Sequence, residues 1–152
     1  MDGLAGHELL IGFGAELHQV IALEGESGRG SARAEAGADL LCIGEVRGAE
    51  AFELTRAVNA GCGFACTVHA NSARDALVRL ETLSLMSDVE IPVYVARAQV
   101  AAAIDMVVQL DRFSQDGSRR ITRITEVHGL DEKNNYQLRD LYTCRLKGKT
   151  AE

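Results

Sequence analysis

Residues 40–81, LLCIGEVRGAEAFELTRAVNAGCGFACTVHANSARDALVRLE, decide how this chain is read. Two short apolar runs lie in this stretch, residues 40–43 and 64–68. The first stops at Gly44-Glu45, and the second at His69, which continues into Ala70-Asn71-Ser72. Between them Ala51, Leu54, Ala57 and Val58 recur at helical spacing, closed by Asn59-Ala60-Gly61. Strand, helix and strand in that order make the pattern of a parallel βαβ unit. Open α/β sheets bind ligands beyond the carboxyl ends of their strands. Glu45 and His69 are both predicted to stand there, and a carboxylate and an imidazole suit phosphate chemistry.

Downstream, Asn71 and Ser72 are candidate N-caps for a helix reaching about Met86. Ala76, Leu77, Leu80 and Leu83 form its apolar face, and Arg74, Asp75, Arg79 and Glu81 are its polar positions. Pro92 suits the first turn of another helix over residues 93–103, alanine-rich with Val95 and Val100 as its larger apolar residues. From Ile104 the period changes to that of strands, at 104–110, 121–127 and 136–142. Asp116-Gly117 and residues 131–135 supply the turns between them. A parallel α/β core followed by an antiparallel β meander is the predicted fold.

Upstream, residues 9–13 and 20–23 are short apolar runs that read as strands or as pieces of one helix. The Gly/Ser-rich residues 25–31 read as a solvated connector. A P-loop needs G-x-x-x-x-G-K-[ST], and no lysine stands before Ser31. Gly148-Lys149-Thr150 fails the same pattern, because Thr143 stands where its first glycine would be. The tail from Lys147 is expected to fray.

The composition, 47% hydrophobic and 25% charged, is that of an ordinary soluble domain. A net charge of -6 excludes the basic footprint of a dedicated nucleic-acid binder. No apolar run approaches a membrane span, and MDGLAGHELL lacks the basic start of a secretory signal, so a cytoplasmic location is expected. Cys42, Cys62, Cys66 and Cys144 form no zinc pattern and read as reduced, structural thiols.

With these residues placed, a resemblance emerges. Ile43-Gly44-Glu45-Val46-Arg47-Gly48-Ala49-Glu50-Ala51 resembles the Walker B segment of the secretion and pilus-assembly ATPases. Thr67-Val68-His69-Ala70-Asn71-Ser72, with Arg74-Asp75-Ala76-Leu77 and Arg79-Leu80-Glu81, resembles their histidine box. The wording is most similar to the CpaF/TadA branch, the motors of Flp-type pili. Ala102-Ala103-Ile104-Asp105, Val107-Val108, the run from Asp116 to Arg120 and Ile124-Thr125-Glu126-Val127 are similar to the same branch. The likeness covers roughly residues 38–143.

The resemblance implies a partial RecA-like P-loop NTPase core, carried by residues 38–145, with 1–37 a segment apart and 146–152 a tail. It implies Mg-ATP hydrolysis by a hexameric ring, held at the inner membrane through platform proteins of the secretion apparatus. Glu45 would be the Walker B carboxylate that orients the attacking water near Mg2+, which it would hold directly or through water. His69 would reach the γ-phosphate, and Arg47 would assist the nucleotide site electrostatically. The family's Walker A loop, arginine-bearing acidic box and N-terminal accessory domain have no match here. The chain is therefore expected to be the C-terminal part of such a motor, inactive alone, with a bare edge beside the βαβ unit.

Other readings stand beside this one. Glu45 alone would read as a helix-capping acid, and His69 alone as a structural histidine. The chain could be a non-catalytic module binding motor subunits or a platform protein. A Cys66–His69 nucleophilic pair would make it a small hydrolase, but residues three apart on a strand face opposite ways. His128 reads as structural, Arg119 and Arg120 as a solvated or subunit-facing pair, and Arg74, Asp75 and Arg79 as an exposed helix face.

Overall fold

A computed structural model describes residues 8–12, 20–23, 40–59, 63–113 and 117–144. Ten elements follow in order: β1 (Glu8–Gly12), β2 (Val20–Leu23), β3 (Leu40–Ile43), α1 (Glu50–Asn59), β4 (Gly63–His69), α2 (Ala73–Ser84), α3 (Val93–Ala103), β5 (Met106–Arg112), β6 (Arg119–Leu130) and β7 (Tyr136–Thr143). The strands form one 7-stranded mixed sheet in the order β2-β3-β4-β1-β5-β6-β7.

The predicted βαβ unit is present, with β3 and β4 adjacent and parallel, Leu40 beside Gly63 and Ile43 beside Cys66. The predicted meander is present as antiparallel β5-β6-β7. The structure corrects the expected bare edge. β2 lies parallel on the outer side of β3, and β1 lies antiparallel between β4 and β5. Of the two readings left open for residues 9–13 and 20–23, strands are the one observed. Their backbone groups complete ladders on both sides of the unit, so among the described strands the sheet's edges fall at β2 and β7. The predicted connector at 25–31, Asp116 of the predicted Asp116-Gly117 turn and the tail from Lys147 lie outside the described residues.

The core stacks the three helices on this sheet. Leu54, Phe64, Cys66, Val68, Leu77, Leu80, Val100, Ile104 and Val107 are among its buried members. In α1, Ala51 and Leu54 face inward as predicted, but Phe52 and Thr55 are buried with them, while Ala57 and Val58 are only half-buried. Thr55 is buried because its hydroxyl donates to the Phe52 carbonyl at 2.9 Å, which satisfies its polar atom inside the helix. Acidic Glu50 and Glu53 in the first turn and Arg56 in the last suit the helix dipole.

In α2 all four predicted apolar positions are buried. Of the two candidate caps, Ser72 is the one used: its Oγ accepts from the Asp75 amide at 3.1 Å. The helix closes at Ser84, short of Met86, and Leu85 and Met86 form a turn whose amides still bond back to Glu81 and Leu83. Glu81 departs from its predicted polar face and is buried, because Arg97 of α3 meets its carboxylate with two hydrogen bonds, 3.0 and 3.1 Å. In α3, Ala96, Val100 and Ala103 face the core and Val95 is half-buried. Pro92 stands at the N-cap of this helix, whose span is the predicted one, and its carbonyl accepts from Val95 and Ala96.

Ile104 ends α3 instead of opening β5, which begins at Met106. The turn at 131–135 is held by Asp131, whose carboxylate accepts from the amides of Lys133 and Asn135, with Asn134 at φ 60°. Gly129, at φ 81°, lies where the β6–β7 register shifts.

Candidate functional site

The alternation of side chains along two neighbouring strands builds the site. On β4, Phe64, Cys66 and Val68 point into the core, so Thr67 and His69 point out of it. Beyond the end of β3 the chain stays alongside β4. The Val46 amide donates to the Thr67 carbonyl at 2.9 Å, and the Thr67 hydroxyl donates to the Gly44 carbonyl. Val46 is buried, so its neighbours Glu45 and Arg47 share the opposite side. Both predicted strand-end residues thus arrive together. His69 Nε2 lies 3.2 Å from Glu45 Oε1, and the Arg47 guanidinium donates to Glu45 Oε2.

Glu45, Arg47 and His69, chosen from sequence, form one contiguous cluster. The Glu45 side chain is 24% exposed, so water reaches its carboxylate. The Arg47 hydrogen bond holds its pKa below the ordinary carboxylate value against partial desolvation, with Arg47, His69 and Arg79 adding favourable charge. Glu50, which the sequence did not single out, fixes the loop beneath. Its Oε1 accepts from the amides of Arg47 and Gly48 at 2.7 and 2.9 Å. Burial pushes Glu50 upward, but the amides of Arg47, Glu50 itself and Gly48 outweigh it and leave the pKa lowered. A Cβ at Gly48 would come within 3.0 Å of the same carboxylate, so glycine there leaves room for this clamp.

Cys66 takes no part. It is fully buried, and burial pushes its thiol up to about 12. A nucleophilic cysteine needs a lowered pKa and access, so the structure removes the cysteine-hydrolase reading. His128 pairs with Glu126 at 2.9 Å, consistent with its structural reading. Arg120 stacks over Phe113, with its guanidinium carbon 5.4 Å from the ring centroid. Arg74, Asp75 and Arg79 are exposed as predicted, although Arg74 also donates to the Tyr136 carbonyl at 3.1 Å.

Beside His69 opens a groove of about 490 Å3, lined also by Ala70, Asn71, Asp75, Val78, Arg79, Thr82 and Leu83. Its volume is that of a small-ligand site. Asp75, Val78, Arg79 and Thr82 fall at i, i+3, i+4 and i+7, a stripe of α2 facing away from the core stripe. That spacing was legible in the sequence, but nothing there showed that the stripe adjoins His69.

The geometry fits a magnesium ion only in an outer-shell relation. Both Glu45 oxygens already have partners, and no group of three or more His, Cys, Asp or Glu side chains gathers for a metal among the described residues. Mg2+ characteristically keeps several waters, and a water-bridged carboxylate suits it. Among the described residues no helix is long and apolar enough to cross a membrane.

Comparison with known proteins gives the family. Residues 35–150 match the family model described as type II/IV secretion system protein, and the chain belongs to that family. It is 32% identical over 100 residues to the conjugal transfer protein TrbB of Rhizobium radiobacter, covering 65% of this chain and 29% of that protein. It is 36% identical over 87 residues to a putative conjugal transfer protein of Mycobacterium tuberculosis, covering 57% of this chain and 24% of that one. The chain thus spans less than a third of the length of these relatives.

Proposed function

We propose that this chain, as a member of the type II/IV secretion system protein family, is the Walker B and histidine-box portion of a RecA-like motor that hydrolyses Mg-ATP. The observation that carries the reading is the 3.2 Å approach of His69 to Glu45 at the carboxyl ends of adjacent parallel strands, inside the family-matched segment. In this reading Glu45 orients the attacking water by accepting its hydrogen bond, and His69 donates to an oxygen of the terminal phosphate. Arg47 keeps Glu45 ionised and in place. A bound magnesium ion would offset phosphate charge through water held against Glu45.

His69 Nε2 faces Glu45 in this structure, so an arriving phosphate must compete with the carboxylate for that nitrogen. Ligand binding and release of Glu45 toward water would then be one event. The 152 residues contain no G-x-x-x-x-G-K-[ST] sequence, so the phosphate cradle and its lysine are not supplied by this segment. The chain alone should bind Mg-ATP weakly and turn it over negligibly. In the assembled motor, a ring of six subunits on a membrane platform protein, the missing parts would come from elsewhere. The resemblance to Flp-type pilus motors and the likeness to conjugal transfer proteins make macromolecular export the common theme.

Isothermal titration calorimetry of the purified chain with Mg-ATP tests this reading. Saturable binding weakened by His69→Ala, and unaffected or strengthened by Glu45→Gln, supports it. Binding indifferent to His69 would sink it. The second reading, a non-catalytic module docking on motor subunits, rests on the missing P-loop sequence. It requires no nucleotide binding by the folded chain together with co-purification with an intact family motor.

A further inference from the structure

The stripe of α2 beside the strand-end cluster carries a guanidinium that nothing yet uses. Arg79 is exposed, lines the groove with His69, and makes no hydrogen bond or ion pair with any described residue. Arg47, by contrast, is engaged by Glu45, and Arg74 by the Tyr136 carbonyl. Asp75 lies one turn before Arg79 on the same stripe, at a spacing that allows an ion pair, yet the two are not joined. An unspent arginine in a concave site beside an imidazole suits oxyanions, because its planar fork donates to two oxygens at once.

We propose that Arg79 is a phosphate-binding residue, its guanidinium holding oxygens of a polyphosphate chain that lies in the groove with His69 at one end. The proposal rests on the phosphate-handling reading above and adds to it the residue and the path. Val78, Leu83 and Ala70 supply the groove's apolar lining. The charge of Arg79 already acts on Glu45, so the groove and the strand-end cluster share one electrostatic field. Asp75 opposes a bare polyanion in the same groove, which favours a chain carrying a divalent cation. Free polyphosphate and the tail of a nucleoside triphosphate share this chemistry.

The test follows the His69 ring signals of the 152-residue chain by NMR during titration with magnesium tripolyphosphate, Mg-ATP and adenosine. The wild type should show saturable shifts with the first two and none with adenosine. Arg79→Gln should weaken both about tenfold or more, as expected for loss of a charged hydrogen-bond pair, with Arg79→Lys between. Arg56→Gln, which removes an exposed arginine paired with Glu53 on α1, should leave the affinities unchanged. Equal affinities for wild type and Arg79→Gln, equal losses in Arg79→Gln and Arg56→Gln, or no saturable shift would overturn the proposal. Arg79-dependent binding of tripolyphosphate without any effect of His69→Ala on Mg-ATP binding, the latter read by calorimetry, would retain the groove and remove the motor reading. The reverse pattern would retain the motor reading and remove Arg79.

Discussion

Two of the glutamate–arginine pairs on this fold, Glu45–Arg47 and Glu81–Arg97, differ in what surrounds them. At the strand ends, Glu45 meets Arg47 and His69 where solvent reaches all three. Between α2 and α3, Glu81 meets Arg97 with both carboxylate oxygens engaged and only 5% of the glutamate side chain exposed. Arg97 also donates to the Asn134 carbonyl, so the second pair ties two helices to the β6–β7 turn. Tyr136 lies against it, its phenol pushed up by burial and by the neighbouring carboxylate. The same two residue types therefore serve opposite ends. A pair in water is free to change partners, which chemistry requires. A carboxylate out of water with both oxygens engaged has no alternative partner, which architecture requires.

The largest expected effect comes from breaking the buried pair. Glu81→Ala removes a buried carboxylate that two Arg97 hydrogen bonds satisfy, leaves Arg97 partly in water, and should cost about 1–3 kcal/mol, read as a lowered urea midpoint. Glu45→Gln should move that midpoint little, because its carboxylate is already hydrated. A midpoint lost equally by the two variants would erase the distinction drawn here. Replacing both members, Glu81→Met with Arg97→Met, sharpens it. The double variant should recover most of the loss, since well-packed apolar residues replace buried ion pairs at little cost.

A smaller effect is expected where the two regions join. Ser72 caps α2 three residues after His69, and Ser72→Ala should cost about 1 kcal/mol. It should also broaden the His69 ring signals, because the cap fixes where the loop leaves β4. Unchanged His69 signals in a destabilised variant would uncouple the helix from the site.

The smallest effect is a pH dependence. Arg47 lowers the folded-state pKa of Glu45, so the unfolded chain takes up a proton first as pH falls. The carboxylate's contribution is therefore complete above its ordinary value of 4.5 and fades as pH drops through the folded value. The urea midpoints of wild type and Glu45→Gln should differ slightly at pH 7 and converge as pH falls below the ordinary carboxylate range. A difference that grew on acidification would reverse the sign and contradict the Arg47 contact.

Much of the candidate site was legible before the fold was known. Apolar runs ending at Glu45 and His69, with a helix-spaced segment between, leave a parallel pair as the economical arrangement. Parallel neighbours bring their carboxyl ends to one side, and period two along β4 turns His69 outward while it buries Cys66. Glu81 was misread for a physical reason. Its position relative to Leu77 and Leu80 belongs on the core side, but a charge is placed in a core only when a partner is known, and Arg97 lies sixteen residues away in another helix.

The sequence by itself determined the local elements: the βαβ order, the apolar stripe of α2, the α3 span from Val93 to Ala103 and the turn at 131–135. These follow from side-chain period, proline and turn chemistry, all properties of neighbouring residues. Only the tertiary structure decided that β1 pairs antiparallel with both β4 and β5, that Glu81 is buried, and that Arg79 shares a groove with His69. Each of these depends on residues distant in the chain, whose meeting is fixed by how the whole core packs.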